Sequence, residues 1–191
     1  YAFLSITEDF KKRLRNGETI NDIMPEALAV CREATKRKLG MYHYDVQVEA
    51  AIAMHDNRII EMKTGEGKTL VQILGAYLSA LEATSSLDPK EHKQVHIITA
   101  NDSLAQRDHE ENMKVFSLLG LTSAYAPSQN MVKNNQQLQD KKRQAYTCDI
   151  VFATAPTIAF DYLEDNHAYQ NEKRYLKKPL FKAIVDEADD I

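Results

Sequence analysis

The residues with the clearest chemical meaning form one short run, Met62-Lys-Thr-Gly-Glu-Gly-Lys-Thr69. Gly65 and Gly67 lack a Cβ, so the backbone there can fold tightly and aim successive N–H groups at an anion. A helix starting at this bend would add the positive end of its dipole to the same spot. Lys68 contributes a mobile ammonium suited to the outer phosphates of a nucleotide. Thr69 contributes a hydroxyl suited to Mg2+, which keeps most of its waters and takes few protein ligands. The run resembles a Walker A loop in which Met62 stands where the first glycine is expected. The candidate phosphate-binding set is therefore Thr64, Gly65, Glu66, Gly67, Lys68 and Thr69. Taken alone, the rival reading is an ordinary glycine turn with an exposed lysine.

A second run, Val185-Asp-Glu-Ala-Asp189, begins its acidic part 118 residues after Lys68. If a strand delivers it beside the loop, Asp186 can hold Mg2+ through water and Glu187 can polarise an attacking water. Nucleotide hydrolysis needs both, an oriented nucleophile and neutralised charge. Lys68, Asp186 and Glu187 are thus the candidate catalytic residues, with Thr69 and Asp186 on the metal. A solvated acidic tail is the alternative, and Phe181 with Ala183 to Val185 just upstream argues against it. Asp189 and Asp190 are read as outer neighbours of the site or as surface.

Those two runs need a frame that brings them together, and the patterning supplies one. Leu70, Ile73, Leu74, Tyr77, Leu78 and Leu81 recur at helical spacing, which predicts an amphipathic helix starting at the glycine bend. Ahead of the bend, Arg58 to Met62 is read as a strand, and before that Asp45 caps a helix to about Met54. Two helices precede these: one capped by Thr7 and ended by Gly17, and one opened by Pro25 and closed by Gly40. Beyond the nucleotide-loop helix, Thr84 to Lys93 is a polar loop, followed by a strand over Gln94 to Thr99 and a helix from Asp102 to Leu119. Leu121 to Ala126, Asp149 to Ala153 and Phe181 to Val185 are further strands. Asn130 to Tyr146 is a polar helix or loop, and Pro156 starts a helix through Leu163. Alternating strands and helices of these lengths predict an α/β fold. It is a RecA-like parallel sheet with helices on both faces and ligands at the strand ends, preceded by a small helical segment. The expected division is residues 1–44 for the helical segment and 45–191 for the nucleotide-binding unit, cut after the acidic motif.

Composition sets the outer limits. The 191 residues carry 24 basic and 28 acidic side chains, a net charge of −4, with 43% apolar residues. That is a globular balance able to bury a core, and its acidity disfavours broad nucleic-acid coating. No apolar run approaches the roughly 18 residues that cross a bilayer. Cys31 and Cys148 stand alone, which points to reduced thiols and the cytosol rather than a disulfide or metal framework.

Taken together, these motifs resemble the first motor domain of SecA preprotein translocases, ATPases related to DEAD-box helicases. The resemblance rests on Arg32-Glu-Ala-Thr-Lys36, Gly40-Met-Tyr-His-Tyr-Asp-Val-Gln47, the Glu61 to Leu70 loop, Thr99-Ala-Asn-Asp-Ser-Leu-Ala-Gln-Arg-Asp108, Phe160 to Asn166 and Val185 to Asp189. It implies ATP and Mg2+ as ligands and Gln47 as the reader of the adenine edge. Without the resemblance, Gln47 is expected at the surface. It further implies preprotein substrates, the Sec translocon channel as partner, a cytoplasmic location with peripheral contact to anionic membrane through the basic first helix, and a homodimer as an open option for the full-length protein. Nucleic acid is disfavoured as a partner, although a DEAD-box RNA or DNA helicase core remains the rival reading. Arginine fingers of a second motor domain would complete the site, so this piece alone is expected to hydrolyse ATP slowly. Ala188, the Thr99 to Ser103 variant, and the long polar stretches from Ser85 to Lys93 and Ser128 to Lys142 depart from the usual pattern and fit a divergent or accessory member.

Other side chains are given plainer readings. His92 and His96 do not form a metal pair, Ser103, Asp108 and His109 are helix-surface polarity, and Tyr42, His43 and Tyr44 either plug the junction between the helical segment and the core, the favoured reading, or stack on adenine.

Overall fold

The computed structural model describes residues 2–132, 134–167 and 174–188, so Asp189 and Asp190 lie outside the described residues. Helix α1 spans Ala2–Arg15, α2 Ile20–Leu39, α3 Asp45–His55 and α4 Lys68–Ala83. Strand β1 spans Gln94–Thr99, α5 Asp102–Leu118, β2 Ser123–Tyr125, α6 Asn135–Ala145, β3 Ile150–Thr154, α7 Ala155–His167 and β4 Leu180–Val185. The four strands are parallel in the order β2-β3-β1-β4. The α/β, RecA-like architecture expected from the alternation is present.

Both faces of this sheet are covered, as parallel sheets require. Val95, Ile97, Ile150, Phe152 and Ile184 point to one face and share a core with α1, α2, α3, α4 and α5. Val151 and Ala153 point to the other, where they meet Ala145 and Tyr146 of the α6 region and Tyr175. The nucleotide-loop helix α4 is buried almost all round, with Ile73, Leu74, Tyr77, Leu78 and Leu81 fully enclosed. The apolar stripe expected on it is thus only part of what it buries.

Several local expectations are corrected. Thr7 is not a cap: α1 begins five residues earlier, and the buried Thr7 hydroxyl shares a 2.9 Å hydrogen bond with the Tyr77 hydroxyl of α4. Helix α2 starts at Ile20 rather than Pro25. The Thr19 backbone donates to Asp22 Oδ2 at 2.8 Å while Asp22 N donates back to Thr19 Oγ1, and this capping box outweighs the single donor that Pro25 lacks. Tyr44, not Asp45, is the N-cap of α3. The largest difference is at Arg58 to Met62, which forms no strand: no described strand pairs with it, and Ile59 is fully exposed. A short apolar run becomes a strand only beside a partner backbone. Among the described residues, β4 is bonded on its β1 side alone.

Candidate nucleotide site

The glycine run folds as a tight turn between this extended segment and α4. Gly65 and Gly67 both have left-handed backbones, φ +87° and +82°. Gly67 is the N-cap of α4, so Lys68 and Thr69 occupy the first turn, where the free N–H groups and the positive dipole end lie. The loop is held from within and from behind. Glu66 Oε2 accepts from Lys63 N at 2.8 Å, and Gln47 Nε2 donates to Glu66 O at 2.8 Å. Lys68 makes no ion pair among the described residues, and no acidic side chain lies in the first turn of α4.

Gln47 is not a surface amide. It is 3% exposed, and its Oε1 accepts from Tyr44 N at 2.9 Å at the start of α3. A Cβ built at Gly67 would sit 2.3 Å from Gln47 Nε2, so the second glycine is needed for close approach as well as for φ. Gln47 still has one donor and one acceptor position unused. His43 is the plug that the sequence suggested. It is fully buried with its Nε2 3.0 Å from Leu70 O, and burial pushes its pKa below the usual value. Tyr42 and Tyr44 are not part of that plug: both are exposed, and Tyr42 lies under the Arg32 guanidinium, 4.5 Å from the ring centre.

At the end of β4, Asp186 N extends the ladder by donating to Ile98 O at 2.8 Å. Glu187 then turns into a left-handed conformation, φ +52°, with its N–H donating to Asp186 Oδ1 at 3.0 Å. For a residue with a Cβ this backbone costs on the order of 1 kcal/mol.

Loop and acidic pair share one edge of the sheet. Near its C-terminus, α4 meets the beginning of β4 through His55, whose Nε2 lies 3.6 Å from Glu82 Oε2 and whose carbonyl accepts from Lys182 Nζ at 2.6 Å. About two α4 turns earlier, Gly75 packs against Ile184, the fifth residue of β4. Helix and strand therefore run in opposite directions, and the N-terminus of α4 points toward the end of β4 that carries Asp186 and Glu187. Thr69 and Asp186 both present oxygen donors of the kind a hard divalent cation takes. No cluster of three or more His, Cys, Asp or Glu able to hold a metal occurs among the described residues.

Sequence reasoning missed a neighbour of this edge. Asp108 of α5 is 1% exposed, and Arg107 Nε and Nη2 donate to its Oδ1 at 3.0 and 2.8 Å. Burial pushes the Asp108 carboxyl above its usual range against the pull of Arg107, and the charge of Asp186 adds to the rise. His109 is likewise turned inward, with Nε2 3.1 Å from Ser123 O and its ring edge-on to Phe152. Surface polarity is therefore the wrong description of Asp108 and His109. Their signal was the 3.6-residue period: Ala105, Asp108, Asn112 and Val115 form one buried stripe. His92 and His96 remain apart, bonded to Ser86 O and lying near Gln94 Oε1 respectively.

The family model for the SecA DEAD-like domain matches residues 2–191. The chain is 47% identical over 185 residues to the protein translocase subunit SecA of Clostridium beijerinckii, covering 97% of this chain and 20% of that protein. It is 46% identical to the same subunit of Methylococcus capsulatus and of Thermosynechococcus vestitus, again over 97% of this chain and 18% of each relative. The chain thus spans about a fifth of the length of these relatives. With the loop, the acidic turn and the parallel sheet in place, the chain belongs to the SecA DEAD-like domain family.

Proposed function

We propose that this chain is the first ATP-binding motor domain of a SecA-type translocase, coupling ATP hydrolysis to the movement of preproteins through the Sec channel. The observation that supports the reading is the direction of α4: its N-terminus, with a two-glycine loop and a lysine that makes no ion pair among the described residues, points toward the strand end that bears Asp186 and Glu187. Backbone N–H groups from Thr64 to Thr69 cradle the phosphates, and Lys68 neutralises the outer ones. The Thr69 hydroxyl and the Asp186 carboxylate fit Mg2+, which would supply charge neutralisation at the transferring phosphoryl group. Glu187 orients and polarises the attacking water. Gln47, tied to the loop through Glu66, uses its remaining donor and acceptor for the adenine edge.

The partner assignment is part of the same proposal: preproteins, the Sec channel and a cytoplasmic, peripherally membrane-associated location, with homodimerisation left to the full-length protein. No helix among the described residues is long and apolar enough to cross a membrane. Helix α1 offers little to an anionic surface. Lys11 pairs with Glu8, Arg13 with Glu18 and Glu26, and Arg15 donates to Ser85 O, so only Lys12 is without a partner among the described residues.

The DEAD form of the acidic motif, with Ala188, keeps the helicase reading as the rival. In the full-length protein, Lys68→Ala is expected to abolish nucleotide binding by calorimetry, and Glu187→Gln to retain ATP while turnover stalls. Stimulation of ATPase by channel-bearing membranes with preprotein supports the motor; stimulation by RNA instead overturns it. The isolated chain, without a second motor domain's arginines, is expected to turn over slowly.

A further inference from the structure

The long polar stretch after β2 builds something the nucleotide site does not use. With α7 it encloses a cavity of about 610 Å3 at the carboxyl ends of β1 and β3. Its two long walls are helix stripes that face each other. Asn135, Leu138, Gln139 and Lys142 recur at i, i+3, i+4 and i+7 on α6, and Pro156, Phe160 and Glu164 recur at four-residue spacing on α7. The β1–α5 connection at Asn101 and Asp102 closes one end.

We propose that this cavity binds a short extended segment of polypeptide, one apolar side chain seated in it and a basic one beside it. The inference rests on the polypeptide-moving reading of the chain and names where such a polypeptide would touch it. Of the five carboxamides that line the cavity, Asn101 accepts from Leu104 N, while Gln129, Asn130, Asn135 and Gln139 have no side-chain hydrogen-bond partner among the described residues. A carboxamide offers one donor group and one acceptor, the same pair that each peptide unit of an extended chain leaves unmet. The apolar seat is formed by Leu138, Tyr175 and Phe160, the last 66% exposed although it lies on a wall of the cavity.

Charge chooses the ligand class. The one lysine on the wall, Lys142, is committed to a buried ion pair with Asp161 and its side chain is 8% exposed. Asp102 and Glu164 are the other charged groups on the lining. Asp102 spends Oδ1 on the Tyr125 hydroxyl and Ser128 N, leaving Oδ2 without a partner among the described residues. Among the described residues a phosphate backbone would meet two carboxylates and no available cation on the lining, which favours a lysine- or arginine-bearing peptide over an RNA or DNA strand.

The test uses the purified full-length protein and three fluorescein-labelled ligands: a ten-residue peptide alternating Ser, Leu and Lys, the same peptide with Glu for Lys, and a ten-nucleotide oligouridine. By anisotropy, the basic peptide is expected to bind at least tenfold more tightly than the acidic one. Phe160→Ala is expected to weaken it at least fivefold, and Glu164→Lys to erase the preference for the basic peptide. Affinity for a fluorescent nucleotide should be unchanged in both variants, which shows that they fold. A benzophenone-bearing version of the basic peptide is expected to label α6 or α7. Labelling confined to other parts of the protein, wild-type peptide affinity in both variants, or tighter binding of oligouridine that Phe160→Ala abolishes would each overturn the proposal. Peptide binding that follows these variants, in a protein whose ATPase ignores preprotein and membranes, would uphold the cavity while refuting the motor.

Discussion

Gly67→Ala is the substitution whose outcome the geometry constrains most tightly. At φ +82° an L side chain costs about 1–2 kcal/mol. Gly65, at φ +87° with nothing within 4 Å of a built Cβ, carries that cost alone. At Gly67 the new methyl would lie 2.3 Å from Gln47 Nε2, so the amide must leave. Leaving breaks its bonds to Glu66 O and from Tyr44 N, each about 1 kcal/mol net. Gly67→Ala should therefore cost about 3–4 kcal/mol and Gly65→Ala about 1–2. A double-mutant cycle isolates the clash. With Gln47→Ala already in place, the methyl at position 67 meets only an ordinary contact with Leu70 Cδ1 at 3.7 Å and should cost only the backbone contribution, giving a coupling of about 2 kcal/mol. Urea unfolding midpoints at constant slope measure all four corners. Additivity within about 0.5 kcal/mol, or equal costs at Gly65 and Gly67, would refute the claim that Gln47 braces the loop by direct contact.

Two further predictions concern buried charge away from the loop. His96 of β1 is 3% exposed, and burial pushes its pKa down to about 4. The unfolded chain takes up the proton near 6.5, so the folded state keeps full stability above that pH and loses about 3 kcal/mol as pH falls toward 4. Burial of Asp108, Asp161 and Glu82 shifts their carboxyls upward, which acts in the opposite sense. The difference between wild type and His96→Gln in urea midpoints against pH separates the two; parallel curves would remove His96 as the cause. On the other face of the sheet, Asp161 accepts from Lys142 Nζ and from the Tyr146 hydroxyl. Asp161→Asn strands a buried ammonium and should cost about 3–5 kcal/mol by the same measurement, with a loss under about 1 kcal/mol counting against it.

What the sequence revealed depended on how local the physics was. The loop, the helix after it and strands β1, β3 and β4 were legible because glycine conformation, helical period and apolar runs act over a few residues. The boundaries of β2 shrank from six residues to three, since only Ser123–Tyr125 pair with β3. Arg58 to Met62 misled because a strand is defined by its neighbour, which no local pattern contains. Asp108 and Gln47 misled in the other direction. Both are polar side chains buried by partners that lie far off or on another element, Gln47 against Glu66 nineteen residues on, and sequence patterning alone assigns such residues to the surface. The cavity is invisible in the sequence for the same reason, although the unusual polarity of its α6 wall is legible there.

Strand β1 ties the two sites into one arrangement. Its Ile98 carbonyl accepts from Asp186 N at the acidic turn, and only Thr99 separates Ile98 from Ala100, which begins the cavity wall. Its other edge pairs Thr99 with Thr154, whose hydroxyl shares a 2.9 Å hydrogen bond with Thr157 on the far side of the same cavity. A parallel sheet gathers all its strand ends on one side, so a nucleotide at the β4 end and a polypeptide at the β1 and β3 ends would be neighbours by construction. Any shift of Asp186 that alters its bond to Ile98 acts on the strand that leads straight into the cavity wall. On the function proposed above, phosphate and polypeptide would be linked by a short route within a single sheet, through the Asp186 to Ile98 hydrogen bond.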